Sequence, residues 1–194
     1  MNPRLILEAL WFALPVVAAG LIHITVIKTG LFSAAARVPL DGGATVRGRR
    51  VLGENKSLRG ALVMPLAVIG CTTVQAALAA RLEWARELCF VDFGHVSPIV
   101  FGALLGVGYV VGELPNSFLK RQLDILPGTT APGGKGVLFW MFDQLDSLFG
   151  ILLLLCFVRV PPWSLSLTLV GLTLVIHPAV SLLMVALRLK TRIG

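Results

Sequence analysis

The sequence predicts an all-α, polytopic membrane protein: a bundle of five transmembrane helices with two cytoplasmic basic loops. Three observations carry that prediction. The mean hydropathy is +0.87, and only 14% of the residues are charged, against about 25% in an ordinary soluble domain. Five apolar stretches approach or exceed the ~20 residues that cross a bilayer: about 9–27, 60–80, 96–112, 136–158 and 163–187. Finally, Lys and Arg are distributed unevenly between the two sides that those spans define.

The first stretch follows a leader containing Glu8, is long for a signal core and has no clear small-residue cleavage site after it. It therefore reads as a retained helix. Proline interrupts the first, second and fifth stretches at Pro15, Pro65 and Pro178, which bundled transmembrane helices tolerate. The third carries Gly102, Gly106, Gly108 and Gly112, two small-xxx-small frames suited to close helix packing. The segment between the second and third stretches has mixed charge and aromatic residues and reads as a surface helix or lid. Cys71, Cys89 and Cys156 have no CxxC spacing and are expected to pack as buried small hydrophobes. The length of 194 residues suits a single integral membrane domain, residues 1–194.

The connection between spans one and two holds Lys28, Arg37, Arg47, Arg49, Arg50, Lys56 and Arg59, the next connection on that side holds three cations, and the C-terminal tail three more. The other side has Arg4, Arg81, Arg86 and Arg159. Thirteen against four places the N-terminus outside, with the C-terminus in the cytoplasm. The cell (inner) membrane is the expected location.

The fourth stretch contains Asp143 and Asp146. Counting back about 20 residues from Arg159 reaches Phe139, so both acids lie within bilayer depth. A charge there costs roughly 2.5–3.5 kcal/mol on insertion scales, and intramembrane acids are functional candidates by default. At i and i+3 they share a helix face. A rise of about 1.5 Å per residue from Arg159 places Asp146 nearer the cytoplasmic side, where the cations of residues 40–60 and 112–128 also gather. Two carboxylates suit a divalent metal that shares its shell with phosphates and water. Lys56, Arg59, Lys120 and Arg121 supply donors for phosphate oxygens. His23 and His177 lie on apolar helices and read as packing residues, and His95 falls on the opposite side.

The segment Ser117-Phe118-Leu119-Lys120-Arg121, followed after a Pro-Gly-containing loop by Asp143-Gln144-Leu145-Asp146, resembles the signature of CTP-dependent phosphatidate cytidylyltransferases. The likeness is strongest to their small relatives, the CDP-archaeol synthases, in which the stretch from Gly53 to Gly60 and the Asp41-Gly42-Gly43 turn also have counterparts. It covers roughly residues 40–60 and 112–150. The resemblance implies a membrane enzyme that joins CTP to a lipid phosphate with Mg2+, giving a CDP-lipid and pyrophosphate. On that reading Asp143 and Asp146 hold the metal, and Lys120 and Arg121 neutralise phosphate charge. Ser117 hydrogen-bonds a phosphate oxygen, Lys56 and Arg59 complete the cradle, and Glu113 is a further candidate for metal contact. The expected partners are CTP, a membrane lipid phosphate and the bilayer, with no nucleic acid.

The chain departs from the family pattern at several points. Asn116 stands where a lysine usually precedes the serine, Arg121-Gln122 replaces paired arginines, and Glu113 replaces an aspartate. The loop from Asp124 to Val137 lacks the Lys-Asp and His-Gly-Gly elements of the larger enzymes. Two alternatives follow from the residues alone. One is a small transporter or ion pathway using the acid pair, for which the spans otherwise offer little beyond Thr25, Thr72, Thr73 and Gln75. The other is a non-catalytic relative. A CDP-alcohol phosphotransferase would require a longer aspartate-rich signature, which is not found.

Overall fold

The computed structural model describes residues 2–127, 129 and 135–187. Five helices are long and apolar enough to cross a membrane: α1 (Pro3–Lys28), α3 (Leu58–Arg81), α5 (Pro98–Gln122), α6 (Lys135–Leu155) and α7 (Trp163–Ala186). Two short helices, α2 (Ser33–Ala36) and α4 (Glu83–Glu87), lie in the connections, the second of them where a surface helix was expected. A hairpin of two-residue strands, β1 (Thr45–Val46) and β2 (Arg49–Arg50), completes the described elements.

The fold is organised around α5, which packs against α3 on one side and α6 on the other. Its glycines set both contacts. A Cβ on Gly106 would lie 2.5 Å from the Cα of Pro65, and one on Gly102 would lie 2.8 Å from the Cα of Ile69, so this frame faces α3. A Cβ on Gly108 would lie 2.8 Å from the Cα of Ile151, and one on Gly112 would strike the carbonyl of Asp146, so the other frame faces α6. Small residues let transmembrane backbones approach this closely. Leu105, Val68 and Leu155 fill the core alongside, while Leu66, Leu153, Leu167 and Val175 point outward, as residues facing lipid do.

Three helix details differ from the sequence expectation. α5 does not stop near Gly112 but continues to Gln122, past Pro115, so Ser117, Lys120 and Arg121 are helical rather than loop residues. A helix-interior proline removes one backbone donor, which a bundled helix tolerates. α6 ends at Leu155, slightly before the apolar run does. Cys156 is exposed rather than buried, and a small apolar side chain on a lipid-facing surface carries little penalty.

The two ends of the bundle differ. The end carrying the α1–α3 and α5–α6 connections is basic. There Asp41, with a side chain only 1% exposed, accepts from Arg50 Nη2 (2.7 Å) and Nε (3.2 Å) and from the N–H groups of Leu52 (2.8 Å) and Gly43 (3.0 Å). The Arg50 guanidinium, helped by those backbone donors, lowers the Asp41 carboxyl from 3.8 to about 2. Arg47 and Gly48 both have positive φ, 54° and 77°, as a two-residue hairpin turn requires. Arg49 then ties the hairpin to the end of α5, donating to Gln122 O at 2.6 Å and pairing with Asp124.

The opposite end is aromatic. Phe12 and Phe90 meet edge-on at 5.7 Å, Phe93 and Phe101 at 5.8 Å, and Trp11 and Trp84 at 5.3 Å. Arg159 lies 5.2 Å from the Phe90 ring and donates to its carbonyl at 2.7 Å. His95 is at this end, paired with Asp92 at 2.8 Å.

Candidate active site

The site forms where the last three turns of α5 face the first half of α6. Glu113, Asn116, Ser117, Lys120 and Arg121 recur at helical spacing along α5 and line one pocket with Asp143 and Asp146 of α6. The absence of side chains at Gly112 and Gly150 brings the two backbones together just beside this pocket. That approach lets short α5 side chains reach α6 directly.

Lys120 Nζ donates to both oxygens of Asp143 and lies 5.8 Å from the Phe139 ring centroid. Asn116 Nδ2 donates to Asp143 Oδ1 at 2.7 Å and to Asp146 Oδ2 at 2.8 Å, so one amide spans the acid pair. Asp146 Oδ1 accepts from the Ser147 N–H (2.7 Å) and hydroxyl (3.2 Å). The same hydroxyl is 3.3 Å from Glu113 Oε1, and Glu113 is paired with Lys56. The charges are therefore linked across α3, α5 and α6.

Of the seven residues assigned to the site from sequence, Lys56, Ser117, Lys120, Arg121, Asp143 and Asp146 line the pocket. Arg59 sits in the first turn of α3 and is not part of that lining. Ser117 is buried and its Oγ accepts the Gly53 N–H at 3.4 Å, which leaves the hydroxyl proton to donate. The buried Arg121 Nε and Nη1, like Arg59 Nε, have no hydrogen-bond partner among the described residues. Leaving a buried donor unmet costs about 1–3 kcal/mol, more when it is charged. A guanidinium on one wall and an ammonium beside it give this side of the pocket positive charge.

Several lining residues lacked a sequence signal. His177 of α7 lines the pocket, with its Nδ1 3.2 Å from Gln144 O. His23 shares a small adjoining cavity with Lys56, Tyr109 and Glu113, so acidic company does reach it. Ser181 lines the pocket from α7. Asn116 had registered only as a departure from a family pattern. Spacing alone offered one clue: it lies four residues before Lys120, on the same face. The Pro-Gly-containing loop between Asp124 and Val137 is described only at residues 124–127, 129 and 135–137. The tail cations Arg188, Lys190 and Arg192 lie outside the described residues.

The donor set fits a hard divalent cation. Two carboxylates share the pocket with Lys56, Lys120 and Arg121, and among the described residues no cluster of three or more His, Cys, Asp or Glu forms a cage. An ion such as Mg2+ is commonly held by one or two carboxylates and completes its shell with substrate phosphates and water.

The model of the CarS-like CDP-archaeol synthase family matches residues 3–192. The chain is 32% identical over 151 residues to the CDP-archaeol synthase of Halobacterium salinarum, covering 75% of each chain. It is 30% identical over 188 residues to that of Methanopyrus kandleri, covering 94% of this chain and 90% of the other. A solved structure of an intramembrane enzyme for archaeal membrane lipids biosynthesis overlays with a TM-score of 0.63 at 27% identity, covering 90% of this chain and 92% of that one. With five spanning helices and a match along nearly its whole length, the chain belongs to the CarS-like CDP-archaeol synthase family.

Proposed function

We propose that this protein is a membrane CTP:lipid-phosphate cytidylyltransferase that forms a CDP-lipid and pyrophosphate. The observation that carries the reading is that the Asp143–Asp146 pair shares one pocket with Lys120 and with Arg121, whose Nε and Nη1 have no partner among the described residues. Membership of the family disfavours a transporter or a non-catalytic relative.

In the proposed reaction an oxygen of the lipid phosphate attacks the α-phosphorus of CTP. A P–O bond forms to the lipid, and the bond to the β-phosphate oxygen breaks as pyrophosphate leaves. The attacking phosphate is already ionised near neutral pH, so the site needs no strong general base. The obstacle is repulsion between anions together with alignment, which fixed cations relieve. Arg121 binds phosphate oxygens with the donors that have no partner among the described residues. Lys120 exchanges Asp143 for a phosphate oxygen, and Ser117 offers its hydroxyl proton. Lys56 lines the same pocket while held by Glu113, and Arg59 contributes charge from behind it. A divalent ion held by Asp143 and Asp146, Mg2+ in this reading, supplies Lewis-acid charge neutralisation at the phosphates.

An apolar cavity between α1, α6 and α7, lined by residues such as Val16, Leu148 and Ile176, shares Gln144 and His177 with the polar pocket. It gives the acceptor's hydrocarbon chains an apolar place next to the phosphate. The excess of cations at the basic end supports a cytoplasmic position for that end and the site, on the side of the cell membrane where CTP is found. Either an ether-linked or a diacyl glycerol phosphate satisfies this chemistry.

Purified protein would be given CTP labelled at the α- or γ-phosphate, with Mg2+ and each lipid phosphate separately. Label in the lipid product from α-labelled CTP, and in pyrophosphate from γ-labelled CTP, is the expected result. Folded protein that moves neither label with either acceptor would overturn the reading.

A further inference from the structure

Asp143 and Asp146 are two like charges one helical turn apart on α6; among the described contacts Ser147 of α6 holds Asp146 but does not bridge the two acids. The group that does so comes from α5. Asn116 Nδ2 carries two N–H donors and directs one to each carboxylate, at 2.7 and 2.8 Å. Each bond leaves further lone pairs on the acid, because an ionised carboxylate offers about four acceptor positions. Asp143 also accepts from Lys120 Nζ on both oxygens, and Asp146 Oδ1 accepts from Ser147.

The reach of Asn116 depends on the glycine contact one turn away. A Cβ on Gly112 would collide with the Asp146 carbonyl and approach the Gly150 backbone to 3.0 Å. Helices held this close can be bridged by a side chain as short as asparagine. The chemistry of the bridge also matters. A second cationic donor beside Lys120 would cancel more of the pair's negative charge, whereas an amide orients both carboxylates without adding to that cancellation. Outer partners that orient ligating carboxylates are part of a metal site, and their loss costs about 10–100-fold in metal affinity.

We propose that Asn116 is a positioning residue that sets the spacing of Asp143 and Asp146 for a divalent cation without neutralising either one. The proposal rests on the reading of these acids as the cation site. Its action is through the two carboxylates, so its loss appears first in cation affinity and in the metal concentration for half-maximal turnover, and less in kcat at saturating metal.

The test is Mn2+ binding to nucleotide-free, detergent-purified protein, followed by the paramagnetic resonance of the free ion. Wild type, Asp143→Asn, Asn116→Ala and Asn116→Leu are compared, and thermal unfolding without metal verifies each fold. The leucine variant is close in size to asparagine and has no donors, so it serves if the alanine variant does not fold. Asp143→Asn is expected to abolish binding at this site, and both Asn116 variants to weaken it about 10–100-fold. A folded Asn116 variant with wild-type Mn2+ affinity overturns the positioning role alone. Wild-type protein that binds no Mn2+, or binds it equally after Asp143→Asn, removes the cation site and this proposal together.

Discussion

At the basic end of the bundle the connection from residue 38 to 57 is held by ions and amides, whereas at the aromatic end residues 82–97 are held largely by rings. Asp41, Arg49, Arg50 and Lys56 each find a charged or backbone partner, and Phe12, Phe90, Phe93 and Phe101 find one another. The difference that matters lies in what remains unmet. The phenylalanine rings take one another as partners, and Arg159 lies over Phe90. The basic end keeps buried guanidinium donors on Arg59 and Arg121 without partners among the described residues, and two carboxylates face them or their neighbours. One end is held by ring contacts, and the other keeps unmet donors that the proposed ligand would satisfy.

The sharpest way to break this comparison is to neutralise an acid. Asp143→Asn or Asp146→Asn removes charge on which the proposed site depends, and several kcal/mol of lost charge stabilisation corresponds to a fall in turnover of about 10³-fold or more. Normal expression and an unchanged elution profile would show that the fold persists. A milder change is Lys120→Gln. Hydrogen bonds to charged groups are worth about 1.5–3 kcal/mol, so turnover should fall by roughly 10- to 150-fold, as measured by initial rates at saturating CTP.

Arg121→Gln separates the two kinds of cation. Its Nε and Nη1 gain nothing from described protein partners, so the variant should melt no lower than wild type without nucleotide. Its KM for CTP should rise about tenfold, the loss of one charge-assisted bond. A lower melting point with unchanged KM would instead make Arg121 a structural residue.

At Asp41 the comparison becomes a matter of pH. The folded carboxyl titrates near 2, below its ordinary 3.8. Its contribution is therefore complete above about pH 4 and is lost as pH falls toward 2. Protection of the Leu52 and Gly43 amides against hydrogen exchange, taken relative to the intrinsic rate at each pH, should fall over that window, and in Asp41→Asn it should already be several-fold lower at neutral pH. The smallest effect on catalysis is expected at the aromatic end. Phe90→Ala removes ring contacts and should lower the thermal midpoint, by about 3 kcal/mol of stability if the site fails to collapse, yet leave kcat/KM within about twofold.

Much of the architecture was legible because the bilayer imposes it. Five apolar runs became five helices, and the glycines of the third run divided between α3 and α6 as two packing frames. The acids stood out because an apolar span tolerates few of them. What the sequence hid depended on contacts between distant segments. The apolar run ended near Gly112 and the residues after it read as a connection, yet α5 continues to Gln122. Asn116 looked like an ordinary polar substitution until α5 and α6 were placed in register. His177 gave no local signal, since its neighbour Gln144 is 33 residues away in the chain. His23, read as isolated, gains Glu113 as a neighbour only through the packing of α1 beside α3 and α5.

The most direct measurement is transfer of label from α-labelled CTP to lipid phosphate by three proteins assayed side by side: wild type, Asp146→Asn and Phe90→Ala. The account predicts labelled CDP-lipid from wild type and Phe90→Ala at similar rates and none above background from folded Asp146→Asn. Equal product from wild type and Asp146→Asn would contradict it, because the chemistry would then lie outside the pocket between α5 and α6.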